Sequence, residues 1–134
     1  MERIKVVVRY LGGEVLKGFT QDFFPNKDRF HLFLAETSPA GGSVEVEVKD
    51  LKAVFLVRDF LGDPQYQECK KFAKGETPSG RKVEVTFLDG EVMVGSTLGY
   101  DRNRKGFFIF PADPRSNNVR VFVVNTSIGS IRQL

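Results

Sequence analysis

Side chains able to perform catalytic or metal chemistry are scarce in this sequence of 134 residues. His31 is the only histidine and Cys69 the only cysteine. A hydrolytic site needs a nucleophile, a base and an orienting group, and a structural zinc site needs four ligands. We therefore predict a non-enzymatic protein with no cofactor and no metal.

Two glutamates offer the closest approach to an acid–base pair. Glu45 and Glu47 are two positions apart, which places both side chains on one face of a strand. Lys49 continues the same row. Mixed charge along one row is typical of a solvated face, so we predict no catalytic pair there. His31 lies in an apolar run, and we predict a surface or packing role for it.

In the last third of the chain, aromatic residues of the predicted strands lie beside basic residues of the predicted loops. Such neighbours form stacking surfaces for single-stranded nucleic acid, and they also form protein hot spots. The candidate anion or nucleic-acid contacts are Arg102, Arg104, Lys105, Arg115 and Arg120. The candidate protein interface is Phe108, Phe110, Phe122 and Val124.

Cyclic-dinucleotide binding is a minor alternative. Receptors of the PilZ type pair two arginines with a later Asp/Asn-x-Ser-x-x-Gly turn, and Arg115, Arg120 and Asn125–Gly129 approach that pattern. Here the arginines are one residue too far apart and the turn is one residue too short.

Composition indicates an ordinary globular protein. Hydrophobic residues make up 41% and charged residues 28%, and the net charge of +3 permits an anionic partner without requiring one. The longest apolar run, about Ala53–Val57, is too short to span a membrane. A single cysteine cannot form an internal disulfide, and the first residues enter alternating sequence without an apolar signal segment. We expect a cytoplasmic location.

The elements that position these residues are duplicated. Residues 5–20 reappear as residues 82–97 with nine identities in sixteen positions, an offset of 77. The same offset continues without a gap to the end of the chain. We predict a first repeat at residues 1–57, a connector at 58–81 and a second repeat at 82–134.

Each repeat has the pattern of five short strands. Val6 and Val8 alternate with outward residues, and Gly12–Gly13 and Asp89–Gly90 mark tight hairpin turns. Short, strongly bent strands favour a small closed barrel, which leaves no exposed edge. The connector predicts one short helix, with Asp63 as N-cap, Pro64 at the first helical position and Gly75 just past the end. The predicted fold is all-β: two tandem five-stranded barrels with one connector helix.

The first repeat resembles Sm-like barrels at Val6-x-Val8, Gly13, Leu16 and Gly18. The second repeat resembles them at Val83-x-Val85, Gly90, Met93 and Gly95. The resemblance implies an Sm/SH3-like fold and, as the alternative function, single-stranded RNA binding through basic loops of the second repeat. Asn26 and Asn103 lie two residues before the base-binding position of that family, and the last strand lacks its Arg-Gly or Lys-Gly signature.

The whole chain also resembles an uncharacterised family of bacterial domains. The segments that carry this likeness are Asp59–Pro64 and Phe107–Asp113. This resemblance implies a bacterial origin and a fold, without an activity.

The repeats differ on one outer row. Glu45, Glu47 and Lys49 of the first repeat correspond to Phe122, Val124 and Thr126 of the second. An apolar outer row requires cover, either from packing between the barrels or from a partner. We predict a binding or scaffolding module whose partner is another protein or a second copy, with RNA as the alternative and no membrane. We expect a compact monomer, or at most a dimer through the second repeat, in which strand 4 of one repeat pairs with strand 5 of the other.

Overall fold

The structure is a computed structural model that describes residues 4–35, 42–60, 80–101, 103–113 and 116–134. In these ranges the backbone forms ten β-strands and two 3-10 turns, with no α-helix. The predicted connector helix between Asp63 and Gly75 lies outside the described residues, and so does Cys69.

Five strands belong to each half of the chain. The first half contains β1 (Ile4–Tyr10), β2 (Val15–Thr20), β3 (Arg29–Leu34), β4 (Ser43–Glu47) and β5 (Leu51–Val57). The second half contains β6 (Arg81–Phe87), β7 (Val92–Thr97), β8 (Gly106–Pro111), β9 (Asn118–Val124) and β10 (Ile128–Gln133). One 3-10 turn, Val48–Asp50, connects β4 to β5, and another, Asn125–Ser127, connects β9 to β10.

All ten strands form one antiparallel sheet in the order β10-β6-β7-β8-β9-β5-β1-β2-β3-β4. The strand order within each half is the same, with the fifth strand beside the first and the fourth strand at the far side. The prediction of an all-β protein is confirmed. Two separately closed barrels are not confirmed, because β5 of the first half pairs with β9 of the second and the sheet runs on continuously.

The predicted hairpin turns are present at equivalent positions. Gly13 donates its N–H to the carbonyl of Tyr10 at 3.0 Å, and Gly90 donates to Phe87 at 2.9 Å. Both glycines have positive φ angles, 97° and 93°, which a residue with a Cβ rarely adopts. These turns fix the register of β1 with β2 and of β6 with β7.

Two further glycines allow the strands to bend sharply. A Cβ at Gly18 would overlap the backbone carbonyl of Phe33, and a Cβ at Gly95 would overlap that of Phe110. Glycine in a strand interior permits this close backbone approach. Both contacts lie where the second strand of a half meets the third, so the two halves share the same bend.

The central pair β5–β9 separates two hydrophobic cores. All seven residues of β5 are buried. Val54 and Leu56 pack into the core of the first half, whereas Ala53, Phe55 and Val57 pack into that of the second. Strand β9 is divided in the same way. Burial on both faces explains why Ala53–Val57 in this strand is a continuous apolar run rather than an alternating one.

Candidate functional site

Two residues of the predicted apolar interface lie inside the molecule. Phe122 is 0% exposed and Val124 is 2% exposed, and both belong to the core of the first half. The ring of Phe23 packs edge-to-face on Phe122 at 5.3 Å. The structure thus uses these two side chains for packing between the halves, one of the two explanations the sequence left open.

The other two residues of that predicted interface lie further out. Phe108 is partly buried against the first core, with its ring centroid 5.3 Å from that of Phe122. Phe110 is exposed on the next outward position of β8. The four residues therefore do not form one surface, because they pass from the core through its rim to solvent.

The basic loop residues that the structure describes are paired with carboxylates. The guanidinium Nε of Arg104 lies 3.7 Å from a carboxylate oxygen of Asp101. The ammonium group of Lys105 forms an ion pair with Asp28 in the first half. Its hydrogen bond and charge hold the pKa of Asp28 below its ordinary value. Arg102 and Arg115 lie outside the described residues.

Arg120 differs from these residues. Its guanidinium carbon lies 4.5 Å from the centroid of the Phe108 ring, a cation–π geometry. No carboxylate forms an ion pair with it in the part of the chain that the structure describes. The side chain is partly buried on β9, so its charge is held in place by the sheet.

An open cleft of about 510 Å³ lies beside Arg120. The loop between β7 and β8 forms one wall, and β8 and β9 form the other. Leu98, Tyr100 and Phe110 expose apolar surface there, with Leu98 as much as 73% exposed. We call this the aromatic–arginine cleft; the residues that define it are Leu98, Tyr100, Arg104, Phe108, Phe110 and Arg120.

Hydrogen bonds hold the loop that forms the cleft wall. Asn125 donates from its side-chain amide to the carbonyls of Asp101 and Arg104, at 3.0 and 2.8 Å. The Asp101 carboxylate accepts the N–H of Asn103 at 2.9 Å. Asn125 begins the segment that approaches the cyclic-dinucleotide pattern, and its side-chain amide binds loop backbone instead.

Leu98 and Tyr100 are site residues that sequence reasoning missed. The offset of 77 gives a signal that could have found Tyr100, since it occupies the place of Phe23. Phe23 packs on Phe30 at 5.0 Å, and Tyr100 packs on Phe107 at 4.9 Å with a similar edge-to-face angle. An aromatic at this loop position is therefore part of the repeat.

Lys52 is a buried charge that the sequence analysis also missed. Its ammonium group lies 2.6 Å from a carboxylate oxygen of Asp89 and 2.7 Å from one of Glu91, in the β6–β7 hairpin. It also lies 4.6 Å from the centroid of the Phe87 ring. The hydrogen bond from Lys52 holds the pKa of Asp89 below its ordinary value, assisted by the N–H of Glu91. The sequence signal that could have revealed this residue is a lysine inside an otherwise apolar strand. Its ion pairs connect the two halves of the chain.

His31 lies on the exposed side of β3 with its side chain 52% exposed. Its Nδ1 is 2.7 Å from Asp22, and its backbone N–H donates to the same carboxylate at 2.9 Å. Burial raises the pKa of Asp22, but the hydrogen bonds from His31 and Thr20 outweigh it, so that pKa lies below its ordinary value. The adjacent Glu45 pairs with Arg29 at 3.1 Å.

In the described ranges, no three His, Cys, Asp or Glu side chains lie close enough together to hold a metal ion. The same ranges contain no helix with the length and hydrophobicity needed to span a membrane.

A family model described as a family of unknown function (DUF6982) matches residues 2–134. The chain belongs to that family. No curated protein matches the chain, and no solved structure does.

Proposed function

Within this family of unknown function, we propose that the chain is a non-enzymatic binding or scaffolding module of a bacterial cytoplasm. Its ligand surface is the aromatic–arginine cleft. The observation that carries the proposal is Arg120, a partly buried guanidinium without an ion pair in the described residues, beside the exposed rings of Tyr100 and Phe110.

The finer architecture is part of the proposal. We infer two Sm/SH3-like units, at residues 1–57 and 82–134, that arose by duplication. Supporting this are the identical strand order of the halves and the equivalent close-approach glycines, Gly18 and Gly95. A register shift at the start of the fifth strand also recurs, near Leu51 in one half and near Gly129 in the other.

A protein segment fits the cleft best. Exposed aromatic and leucine side chains provide apolar area, and an arginine held against a ring is a common hot-spot residue. A guanidinium with no carboxylate partner among the described residues favours a carboxylate on the binding partner. Arg104 and Lys105, which would contact an RNA backbone, already have carboxylate partners.

Point variants of the cleft test the proposal. Phe110→Asp and Arg120→Gln should each abolish capture of the partners retained by the wild-type chain and weaken the purified partner's affinity by about tenfold or more. Val119→Asp is the matched control, because Val119 is exposed elsewhere on β9. Thermal unfolding must show that all three variants stay folded. Equal binding by Phe110→Asp and Val119→Asp would contradict the proposal.

RNA binding is the main alternative outcome. Fluorescence anisotropy with random single-stranded RNA at low and high salt measures it directly, since each phosphate contact adds about 0.7 log units to the salt slope. If the chain binds RNA at micromolar protein concentration, and if Arg104→Ala and Arg120→Ala weaken that binding, the proposed ligand of the cleft becomes RNA rather than a protein. A labelled cyclic dinucleotide in the same assay tests the minor alternative.

A further inference from the structure

The outer edge of β10 is a second candidate binding surface, which adjoins the aromatic–arginine cleft at Leu98 and Tyr100. It is best understood from β5, its equivalent in the first half. The outer edge of β5 is covered by β9, with Val54 opposite Phe122 and Leu56 opposite Arg120. Phe122 inserts into the first core beneath the ring of Phe23.

The second half contains the same receiving platform. Tyr100 takes the place of Phe23, and its edge-to-face contact with Phe107 reproduces that of Phe23 with Phe30. The counterparts of Val48 and Leu56, which share the first core with Phe122, are polar (Asn125 and Gln133), but six other residues of that core have apolar counterparts in the second half. These apolar counterparts are Val83, Val85, Phe107, Ile109, Ile128 and Ile131.

No strand of the described residues lies over this second platform. In the described part of the chain β10 pairs with β6 alone. Val54 is 0% exposed, whereas its counterpart Ile131 is only partly buried, and Leu134 is 52% exposed against 8% for Val57. Two cavities, of about 620 and 430 Å³, both touch Tyr100 and Ile131.

The backbone of β10 has hydrogen-bonding groups directed at this space. The N–H of Leu134 donates to the carbonyl of Lys82 on β6. Because backbone groups alternate in direction along an antiparallel strand, the N–H and C=O groups of residues 131 and 133 are directed away from β6. The equivalent residues 54 and 56 lie opposite β9 in the first half, where the next outward N–H, of Arg58, donates to Asn117.

We propose that β10 accepts an extended segment of a partner protein as an added antiparallel strand. The segment places a bulky aromatic side chain beside Tyr100, as β9 places Phe122 beside Phe23. Main-chain hydrogen bonds supply affinity in such an addition, and pockets for alternate side chains supply specificity.

Strand β4 of a second copy does not fit this position. The counterpart of β9 in another copy is β4, where Glu45 and Glu47 occupy the places of Phe122 and Val124. Carboxylates inserted into an apolar space would lose hydration without a partner. The occupant is therefore a foreign strand with apolar residues at alternate positions.

A peptide copied from β9 provides a direct probe. The probe is a labelled, end-capped peptide of residues 117–126, and the matched control is the same peptide with the substitution Phe122→Glu. With the full-length chain we expect saturable binding of the first peptide in fluorescence anisotropy and about tenfold weaker binding, or more, of the second. Binding of neither peptide, or of both equally, would overturn the proposal.

Two variants of the chain locate the bound peptide. Gln133→Pro removes a backbone N–H directed outward and should abolish binding, whereas Gln133→Ala keeps that N–H and should bind as the wild type does. Unchanged binding by Gln133→Pro would overturn the assignment to β10. A wild-type dimer that Gln133→Pro dissociates would overturn the foreign occupant in favour of a second copy. Phe110→Asp tests the cleft separately, so the two surfaces can fail independently.

Discussion

The centre and the two edges of the sheet are built from equivalent strands with opposite chemistry. Strand β5 in the centre is buried along its whole length, whereas β10, its counterpart at one edge, has no fully buried residue. Strand β9 presents Phe122 and Val124 to the first core, whereas β4, its counterpart at the other edge, presents Glu45 and Glu47. Strands at equivalent positions in the two halves thus lie in the core or at an edge, and their side chains differ accordingly.

Charge satisfaction reinforces this difference. At the edges, Arg132 pairs with Glu84 and Glu45 pairs with Arg29, each within its own half. In the centre, Lys52 reaches carboxylates of the other half. Charged side chains on an edge strand discourage pairing with further copies of the same chain. The comparison shows how one internal pairing can be favoured while its repetition between molecules is not.

The largest expected effect comes from Phe122. Phe122→Ala removes a fully buried ring from between the halves and should lower the free energy of unfolding by about 3–5 kcal/mol. The equivalent substitution Glu45→Ala should change it by at most about 0.5 kcal/mol, because that side chain is exposed. Urea denaturation monitored by circular dichroism measures both. Similar losses for the two variants would remove the basis of the comparison.

The shared bends should respond alike in both halves. Gly18→Ala and Gly95→Ala each force a Cβ against a backbone carbonyl, and each should cost about 1–3 kcal/mol. Gly99→Ala is the control, since no atom of the structure lies within 4 Å of a Cβ placed there. The urea midpoints of the three variants decide the matter. A large loss in only one half would mean that the halves differ in more than their edges.

Lys52 tests the polar connection between the halves. The double substitution Asp89→Asn with Glu91→Gln leaves a buried ammonium group without a counter-charge and should lower the melting temperature clearly. Lys52→Met removes the charge together with its need for partners and should lower it less. Differential scanning fluorimetry at neutral pH compares the variants. A lower melting temperature for Lys52→Met than for the double variant would mean that the attraction within the ion pairs contributes more to stability than the cost of burying an unpaired charge.

Acid should weaken the contacts between the halves. The pKa values of Asp28 and Asp89 are lowered in the folded chain, so their contribution to stability is complete above the ordinary value of 3.8. It is lost as the pH falls through the lower pKa of the folded state. Urea midpoints measured between pH 6 and pH 2.5 should decline less in Asp28→Asn and Asp89→Asn than in the wild type. Parallel declines would assign acid sensitivity to other groups, Asp22 among them.

The smallest effect, a weak self-association, is expected when the edge strand β4 is given the side chains of the central strand β9. Glu45→Phe with Glu47→Val gives β4 the side chains of β9, which should allow it to pair with β10 of another molecule. Association must overcome the entropy of joining two molecules, so we expect it to be weak and dependent on concentration. Sedimentation velocity at tens of micromolar should show a monomeric wild type and larger species for the variant. A dominant wild-type trimer would contradict the role assigned to the charged edge.

The sequence predicted those parts of the fold that depend on local chemistry. The hairpins at Gly13 and Gly90 follow from turn geometry, and the inward rows follow from a period of two. The course of the sheet beyond each half depends on which outer edges meet, and this is set by contacts between distant residues. For that reason the sequence left open whether Phe122 packs between the halves or contacts a partner.

The candidate site was harder to predict for a related reason. The five basic residues were selected by charge, but charge alone does not reveal that Asp101 and Asp28 neutralise two of them. Leu98 carries no spacing signal within the loop, and the only signal for Tyr100 is its offset of 77 from Phe23. Their exposure depends on the space left beside β8 and β9, which only the packed structure defines.

The central pairing also has a consequence for how the chain reaches its native state. Residues 54 and 122 are 68 positions apart, so β5 meets β9 only after a long loop has closed. The hairpins of each half involve nearby residues and can form first, whereas distant pairings form slowly. During synthesis β5, apolar on both faces, leaves the ribosome well before its neighbour exists. Until β9 is synthesised, the apolar residues of β5 that it covers stay exposed and favour aggregation of the nascent chain.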